Sequence, residues 1–200
     1  IDMLSECNFP EIEVVSFVNP KWVPQMADAE NIVAKLKAAP HTKYTGVYLN
    51  IQGMNRALAT KKLFVGSLSI TASETFSKKN TNRSIDETFE EAQRRVEAFK
   101  IANITATEVS VMAAFGCNYE GNVDPNKVIE LIARLMDLAD ENEYKIQNIQ
   151  LCDTMGWANP QSIKYLVGKI QDRWSAQRIN LHLHDTRGMG MANALAALEM

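Results

Sequence analysis

Short segments rich in β-branched and aromatic residues alternate with segments whose apolar residues recur every three or four positions. The first pattern is typical of strands, and the second has the period of an amphipathic helix. The first pattern predicts strands over residues 11–17, 43–50, 62–70, 105–112, 146–152 and 179–184. A predicted helix follows each strand, over 28–39, 54–60, from residue 84 onwards, over 124–142, from 159 onwards and over 191–200.

The two longest helices carry the clearest signals. Ser84 and Glu87 have the spacing of a capping box, in which each side chain binds the other residue's backbone N–H. Asp124 followed by Pro125 is a second helix start, with a capping carboxylate and a proline in the first turn. Both helices are predicted to have a broad apolar face. In the second helix this face consists of Val128, Leu131, Ile132, Leu135 and Leu138.

Regular alternation of strands and helices predicts parallel strands joined by helical crossovers, which is the α/β class. An open doubly wound sheet and a (β/α)8 barrel both fit. No G-x-G-x-x-G follows the first strand, and polar residues such as Ser16, Asp153 and His182 recur near strand ends, as in barrel active sites. A complete barrel needs eight strands in about 250 residues. We therefore predict an incomplete (β/α)8 barrel of six βα units, as one domain over residues 1–200 that is truncated at both ends.

Composition narrows the possible partners. The 200 residues are 46% hydrophobic and 22% charged, which excludes a disordered chain. No apolar run approaches the roughly 20 residues that span a bilayer, so we expect no membrane partner. With 21 basic and 24 acidic residues there is no positive field for nucleic acid, and we expect no such partner. Three widely spaced cysteines favour a reducing compartment.

The strongest candidate site lies in the sequence Leu-His-Leu-His-Asp, where His182 and His184 stand two residues apart. On a strand both rings point to the same side, and two adjacent imidazoles form half of a site for a divalent cation. A hydrogen-bonded pair of core histidines is the alternative. Two histidines do not fix the metal type, because hard cations require additional oxygen ligands.

Two carboxylates could work with this pair. Asp153 ends a predicted strand, where it could act as a base or bind metal indirectly; a turn-forming or helix-capping role is the alternative. Glu13 interrupts an otherwise apolar strand, where a buried charge is costly unless it is paired or functional. If Glu13 faces the barrel interior, it should lie near the metal site; if it faces outward, it is a solvated or salt-bridged bystander.

Lys78, Lys79 and Asn80 come just before the helix that begins at Ser84. Two ammonium groups near a helix N-terminus are suited to a ligand that carries phosphate. The alternative is a solvated run of charge.

Five motifs occur in order along the chain: SFVNPKWVPQMAD, SKKN, GCNYEG, CDTMG and HLHDTRG. Together they resemble the 3-hydroxy-3-methylglutaryl-CoA (HMG-CoA) lyase family of metal-dependent barrels. The resemblance implies cleavage of HMG-CoA to acetyl-CoA and acetoacetate with Mg²⁺ or Mn²⁺. It implies an acyl-CoA partner, a possible homo-oligomer, and a cytoplasmic location with the mitochondrial matrix as the alternative.

The resemblance also assigns roles to residues. His182 and His184 are the implied metal ligands, and Glu13, Asp153 and His182 the implied catalytic residues. The implied contacts to the acyl-CoA substrate come from Ser16, Lys79, Asn80 and Glu108. The family's first strand, with an Arg-Asp pair, and its glycine-rich loop, with a reactive cysteine and a metal-binding asparagine, fall outside these 200 residues.

Two stretches depart from the family pattern. Where the family has V-R-G-Y, this chain reads Thr107-Glu108-Val109-Ser110, so Glu108 replaces an arginine. Beside Asp153 the usual Ser-Leu-Gly reads Gln150-Leu151-Cys152. Two alternatives to the lyase therefore stay open: a Claisen-type synthase that joins acetyl-CoA to a 2-oxo acid, as isopropylmalate and homocitrate synthases do, and a catalytically silent homologue.

Overall fold

A computed structural model describes residues 1–200 and contains six strands and eight α-helices. The strands are β1 (Glu11–Ser16), β2 (Lys43–Val47), β3 (Ser67–Thr71), β4 (Glu108–Met112), β5 (Asn148–Asp153) and β6 (Arg178–Leu183). The helices are α1 (Asp2–Ser5), α2 (Ala29–Lys35), α3 (Ile51–Ala59), α4 (Glu74–Thr81), α5 (Ile85–Ile101), α6 (Pro125–Asp140), α7 (Pro160–Arg173) and α8 (Gly190–Leu198). No helix is both long enough and apolar enough to cross a bilayer.

The chain divides into two compact units, Ile1–Val65 and Gly66–Met200. The first unit contains β1 and β2, which pair in parallel with a shift of register between Glu13 and Val15. A buried hydrogen bond from the Tyr44 hydroxyl to Ser5 Oγ, 2.7 Å long, ties α1 to β2 within this unit.

The second unit is built on a parallel four-stranded sheet in the order β3-β4-β5-β6. Consecutive strands are neighbours and every connection contains a helix, so the predicted α/β class with parallel strands is confirmed. Helix α5 packs against β3 and helix α6 against β4.

The two faces of this sheet differ because side chains alternate along each strand. One face is apolar. On β3, β4 and β5 it is fully buried, with Leu68, Ile70, Val109, Val111, Ile149 and Leu151 all at 0% exposure, and on β6 it is half-buried. On the other face the strand register aligns Ser69, Ser110, Gln150 and Asn180 in one row. His182 lies on this polar face, opposite Cys152 of β5 and one row beyond Gln150.

The predicted elements are confirmed, with some changes of boundary. The strand predicted over 62–70 is shorter and later, at Ser67–Thr71, because Lys61 takes a positive φ of 56° and the following residues form a loop. Helix α4 was not predicted. The capping box is present as expected: Glu87 N–H donates to Ser84 Oγ at 3.1 Å and Ser84 N–H donates to Glu87 Oε2 at 2.6 Å.

Candidate active site at the carboxyl ends of β5 and β6

His182 and His184 lie side by side at the carboxyl end of β6. Their ring centroids are 4.9 Å apart, and the ring planes are inclined by 42°. Both rings therefore lie on one side of the strand, as the spacing of two residues predicts. The pair is placed beside β5 because Cys152 and Asp153 are the register partners of His182 and Leu183.

The hydrogen bond made by His184 fixes which of its nitrogens is available. Its Nδ1 lies 3.0 Å from the backbone oxygen of Asp153. A carbonyl oxygen only accepts, so Nδ1 carries the proton and donates it. In the neutral ring Nε2 then keeps its lone pair, and a backbone carbonyl on the other ring nitrogen is a common arrangement for histidines that bind metal.

Asp153 is completely buried, with 0% exposure, and its two carboxylate oxygens differ. Oδ1 accepts the backbone N–H groups of Trp157 at 2.6 Å and Ala158 at 3.1 Å. Oδ2 is buried without any hydrogen-bond partner. The turn-forming role weighed from sequence therefore belongs to Oδ1, while Oδ2 remains available for a ligand, because a buried acceptor without a donor is costly and uncommon.

The pKa of His182 is lowered from its ordinary value. The largest cause is partial loss of solvation, and repulsion by the neighbouring His184 acts in the same direction. The carboxylate of Asp153 opposes both by attraction. The neutral form of His182, which is the form that binds a metal ion, is therefore favoured near neutral pH.

The residues fit a divalent cation as part of a ligand set. Two imidazoles, one of them with its metal-binding nitrogen defined, stand next to the backbone of Asp153, whose buried carboxylate has one oxygen without a hydrogen-bond partner. No group of three or more His, Cys, Asp or Glu side chains is placed to hold a metal ion. Because Mg²⁺ prefers six oxygen ligands, the remaining coordination positions need oxygen atoms from substrate, water or residues outside this set.

A cluster around Arg187 surrounds this site, and sequence reasoning did not find it. The guanidinium donates through Nη1 to the backbone oxygens of Met155 and Gly156, at 2.8 and 3.0 Å. Its Nη2 donates to Asn118 Oδ1 at 3.3 Å, and the group stacks 4.8 Å from the Trp157 ring. The position of Arg187 three residues after His184 was the available signal, but no periodicity or motif spacing indicates its partners.

The phosphate contact expected just before α5 stays a prediction, and the start of that helix does not contribute to it. The first backbone N–H groups of that helix are already bound by carboxylates: Glu87 accepts from Ser84, and Glu74 Oε2 accepts from Ile85 at 3.0 Å. An anion would meet negative charge there. Lys79 and Asn80 lie instead in the last two turns of α4, where both are exposed and Lys79 Nζ stands 5.1 Å from the centre of the Tyr119 ring.

Glu108 does not join the site. It is the first residue of β4 and pairs with Asn148, whereas Asp153 is five residues further along β5. At about 3.3 Å per residue, this separation is about 17 Å along the strands. Glu108 Oε2 accepts a hydrogen bond from Asn180 Nδ2 at 3.4 Å, so it belongs to the amino-terminal end of the polar face. The contact of Glu108 with the acyl-CoA substrate stays a prediction.

Glu13 and Ser16 both lie on β1, in the first compact unit. Glu13 is exposed, so the cost of burying its charge does not arise. Ser16 is half-buried and ends the strand, as expected. Their catalytic and substrate-binding roles stay predictions.

Comparison with known proteins follows from these features. Residues 1–200 match a family model described as HMGL-like. The chain belongs to this family. Among curated HMGL-like relatives, the mitochondrial HMG-CoA lyase of Rattus norvegicus is 37% identical over 200 residues, which are 100% of this chain and 59% of the relative. The cytoplasmic HMG-CoA lyase of Homo sapiens is 36% identical, with 100% and 52% covered.

Solved structures agree with the family. An HMG-CoA lyase from Acinetobacter baumannii, in complex with coenzyme A and 3-methylmalate, has a TM-score of 0.88 and 31% identity, covering 99% of this chain and 62% of that one. The enzyme from Pseudomonas aeruginosa has a TM-score of 0.84 and 30% identity, covering 98% and 63%. The barrel class is thereby confirmed, with six βα units in these residues. The chain spans about three fifths of the length of the relatives it matches.

Proposed function

We propose that the protein containing this chain is a metal-dependent carbon–carbon lyase that cleaves HMG-CoA, or a related 3-hydroxyacyl-CoA, to acetyl-CoA and a 3-oxo acid. With HMG-CoA the 3-oxo acid is acetoacetate. The observation that carries the proposal is the histidine pair beside a buried Asp153 whose Oδ2 has no partner. Family membership over all 200 residues and the coenzyme A complex of a similar lyase support the acyl-CoA substrate.

The ring nitrogens of His182 and His184 are the proposed metal ligands, with Mg²⁺ or Mn²⁺ as the cation. When bound, such a cation lowers the pKa of a coordinated hydroxyl group and orients the substrate. His184 is held for this purpose by its hydrogen bond to the Asp153 backbone. His182 is kept neutral by its lowered pKa.

In the proposed reaction Asp153 Oδ2 accepts the proton of the tertiary hydroxyl, since it is the acceptor in this site that is left free. The bond between C2 and C3 then breaks. Its electron pair becomes the enolate of acetyl-CoA, and C3 becomes the ketone of acetoacetate. The proton held by Asp153 is then passed through His182 to the enolate carbon, so the proton lost by the substrate oxygen ends on carbon, both side chains return to their starting forms, and nothing is oxidised or reduced.

Other residues enter the proposal on the resemblance. Glu13 is the second catalytic carboxylate, and Ser16, Lys79 and Asn80 contact the acyl-CoA. The exposure of Lys79 and Asn80 leaves them accessible to a large ligand. The protein is proposed to act in the cytoplasm or the mitochondrial matrix, since HMG-CoA lyases of both locations are among its relatives.

The proposal is tested with His182→Ala and His184→Ala in the full-length protein. We expect each variant to lower turnover of HMG-CoA at least a hundredfold and to weaken Mn²⁺ binding, measured by calorimetry, at least tenfold. His41→Ala is the matched control, because His41 is the third histidine of the chain, is exposed, and lies before β2. If His182→Ala loses turnover only as far as it loses folded protein, a catalytic role is contradicted.

Asp153→Asn tests the proton acceptor separately. Asparagine keeps an oxygen for the N–H groups of Trp157 and Ala158 but replaces the basic oxygen by an amide. We expect turnover to fall at least a hundredfold while the free energy of unfolding changes by less than about 1 kcal/mol, because removing a buried charge offsets the imperfect pairing. Turnover within threefold of wild type would exclude Asp153 as the base.

Two outcomes separate the other candidates. Condensation of acetyl-CoA with a 2-oxo acid, without cleavage of HMG-CoA, would favour a Claisen-type synthase. Failure of the full-length protein to bind Mg²⁺ or Mn²⁺ would favour a silent homologue, since the pair would then be only a structural contact.

A further inference from the structure

The turn that follows β5 is bound by side chains from three directions. It covers residues 154–158, and the N–H groups of Trp157 and Ala158 hold Asp153 Oδ1. Three of its carbonyl oxygens are occupied by side chains: Met155 and Gly156 accept from Arg187, and Ala158 accepts from Asn193 Nδ2 at 3.1 Å. A turn whose N–H groups and carbonyls are both bound has little freedom to move.

Arg187 makes more of these connections than any other side chain in the cluster. It lies in the loop after β6, three residues beyond His184, and its fork reaches the turn after β5. It also reaches Asn118, in the loop after β4, whose Oδ1 accepts the Trp157 indole N–H at 2.8 Å. One guanidinium thus joins the loops after three adjacent strands.

From these contacts we infer that Arg187 is a positioning residue that holds turn 154–158 against the loop after β6 and so places Asp153 beside the histidine pair. It touches neither His ring nor the Asp153 carboxylate, so it acts through the turn. The inference rests on the proposed function for its catalytic consequence. The mechanical part, the link between two loops, stands on the hydrogen bonds alone.

Lysine cannot replace arginine here. The guanidinium is planar and its several N–H groups diverge in fixed directions, which allows one group to donate to two backbone carbonyls and an amide while it stacks on an indole. A lysine ammonium keeps the charge but lacks the plane and the fork. Arg187→Lys and Arg187→Gln should therefore behave alike, although only the first conserves charge.

The test compares these variants in the full-length protein with Arg173→Gln. Arg173 is the matched control, because its guanidinium stacks 4.6 Å from the Trp174 ring at the far end of α7, whereas that of Arg187 stacks 4.8 Å from Trp157. Hydrogen–deuterium exchange by mass spectrometry is followed for peptides covering 154–158 and 184–189. Steady-state kinetics with HMG-CoA is measured on the same samples.

We expect Arg187→Gln and Arg187→Lys to speed exchange at least tenfold in both peptides and to lower kcat at least tenfold, with KM within threefold of wild type. Methylguanidinium added to Arg187→Gln should restore part of kcat. Arg173→Gln should change none of these quantities. A general loss of stability would instead speed exchange across the whole chain. It would not explain why kcat falls while KM stays nearly constant.

Two results would overturn the inference. Unchanged exchange in both peptides means that Arg187 does not hold the loops together. Faster exchange with kcat within twofold of wild type means that the loops do not place Asp153. If the wild-type protein does not cleave HMG-CoA, the proposed function fails, and the exchange result alone decides whether Arg187 joins the two loops.

Discussion

Gly156 offers a quantitative test of how closely the loops after β5 and β6 approach each other. Its φ is +67°, and a Cβ placed there would lie 2.9 Å from Thr186 Cβ and 3.3 Å from the backbone oxygen of His184. Alanine at this position therefore meets two costs. The left-handed backbone costs about 1–2 kcal/mol for a residue with a side chain, and overpacking against Thr186 adds about 1–3 kcal/mol.

Gly188 separates these two costs. Its φ is also +67°, but nothing lies within 4 Å of a Cβ built there. Gly188→Ala should therefore lower the free energy of unfolding by only about 1–2 kcal/mol. We expect Gly156→Ala to lower it by about 2–5 kcal/mol, the sum of both costs.

The assay is urea unfolding of both variants and wild type, followed by far-ultraviolet circular dichroism. The informative quantity is the difference between the two alanine variants, because the backbone cost cancels in it. A difference of at least 1 kcal/mol supports the close approach of Gly156 to Thr186. Equal effects within about 0.5 kcal/mol would refute it, since overpacking would then cost nothing.

Two further predictions concern residues away from the histidine pair. Glu108→Gln should change kcat for HMG-CoA by less than threefold, because Glu108 lies at the amino-terminal end of β4; a tenfold change would return it to the substrate site. Glu30→Gln tests an ion pair in the first unit: the hydrogen bond from Arg56 lowers the pKa of Glu30, against partial desolvation, with Nε–Oε1 and Nη2–Oε2 distances of 2.6 and 3.0 Å. A lowered carboxyl pKa stabilises the folded state above the ordinary value near 4.5, and this contribution is lost as the pH falls through the folded pKa. The variant should be less stable than wild type by under about 1 kcal/mol at pH 7 in urea unfolding, and the difference should shrink as the pH falls below the ordinary carboxyl pKa; a difference that does not depend on pH would contradict the electrostatic cause.

Local sequence signals were sufficient where one segment determines its own structure. The capping box of Ser84 and Glu87 requires only two residues three positions apart, and it marks the start of α5 correctly. The apolar face of α6 follows from period alone, and Val128, Leu131 and Ile132 are buried as predicted. The side-by-side arrangement of His182 and His184 follows from the alternation of a strand.

Local sequence signals did not predict the structure of segments that depend on contacts with distant parts of the chain. Helix α4 is short, and its N-terminus is fixed partly by Glu120, which accepts the Thr75 N–H at 2.5 Å from 45 residues away. Glu74 binds the start of the next helix, a contact that the spacing of the α4 lysines does not reveal. The end of the sheet at which Glu108 lies depends on strand register, which no single segment contains.

The arrangement of β5 and β6 also has a consequence for how this sequence can change over generations. Six consecutive residue pairs, from Asn148 with Arg178 to Asp153 with Leu183, set the alignment of the two strands. Because side chains point to opposite faces at successive residues, inserting or deleting one amino acid within β6 would turn both imidazoles toward the apolar core between the sheet and the helices. Leucines would take their place on the polar face. Length variation among descendants of this gene should therefore concentrate in the connecting loops, while β6 itself tolerates substitutions but no gain or loss of a single codon.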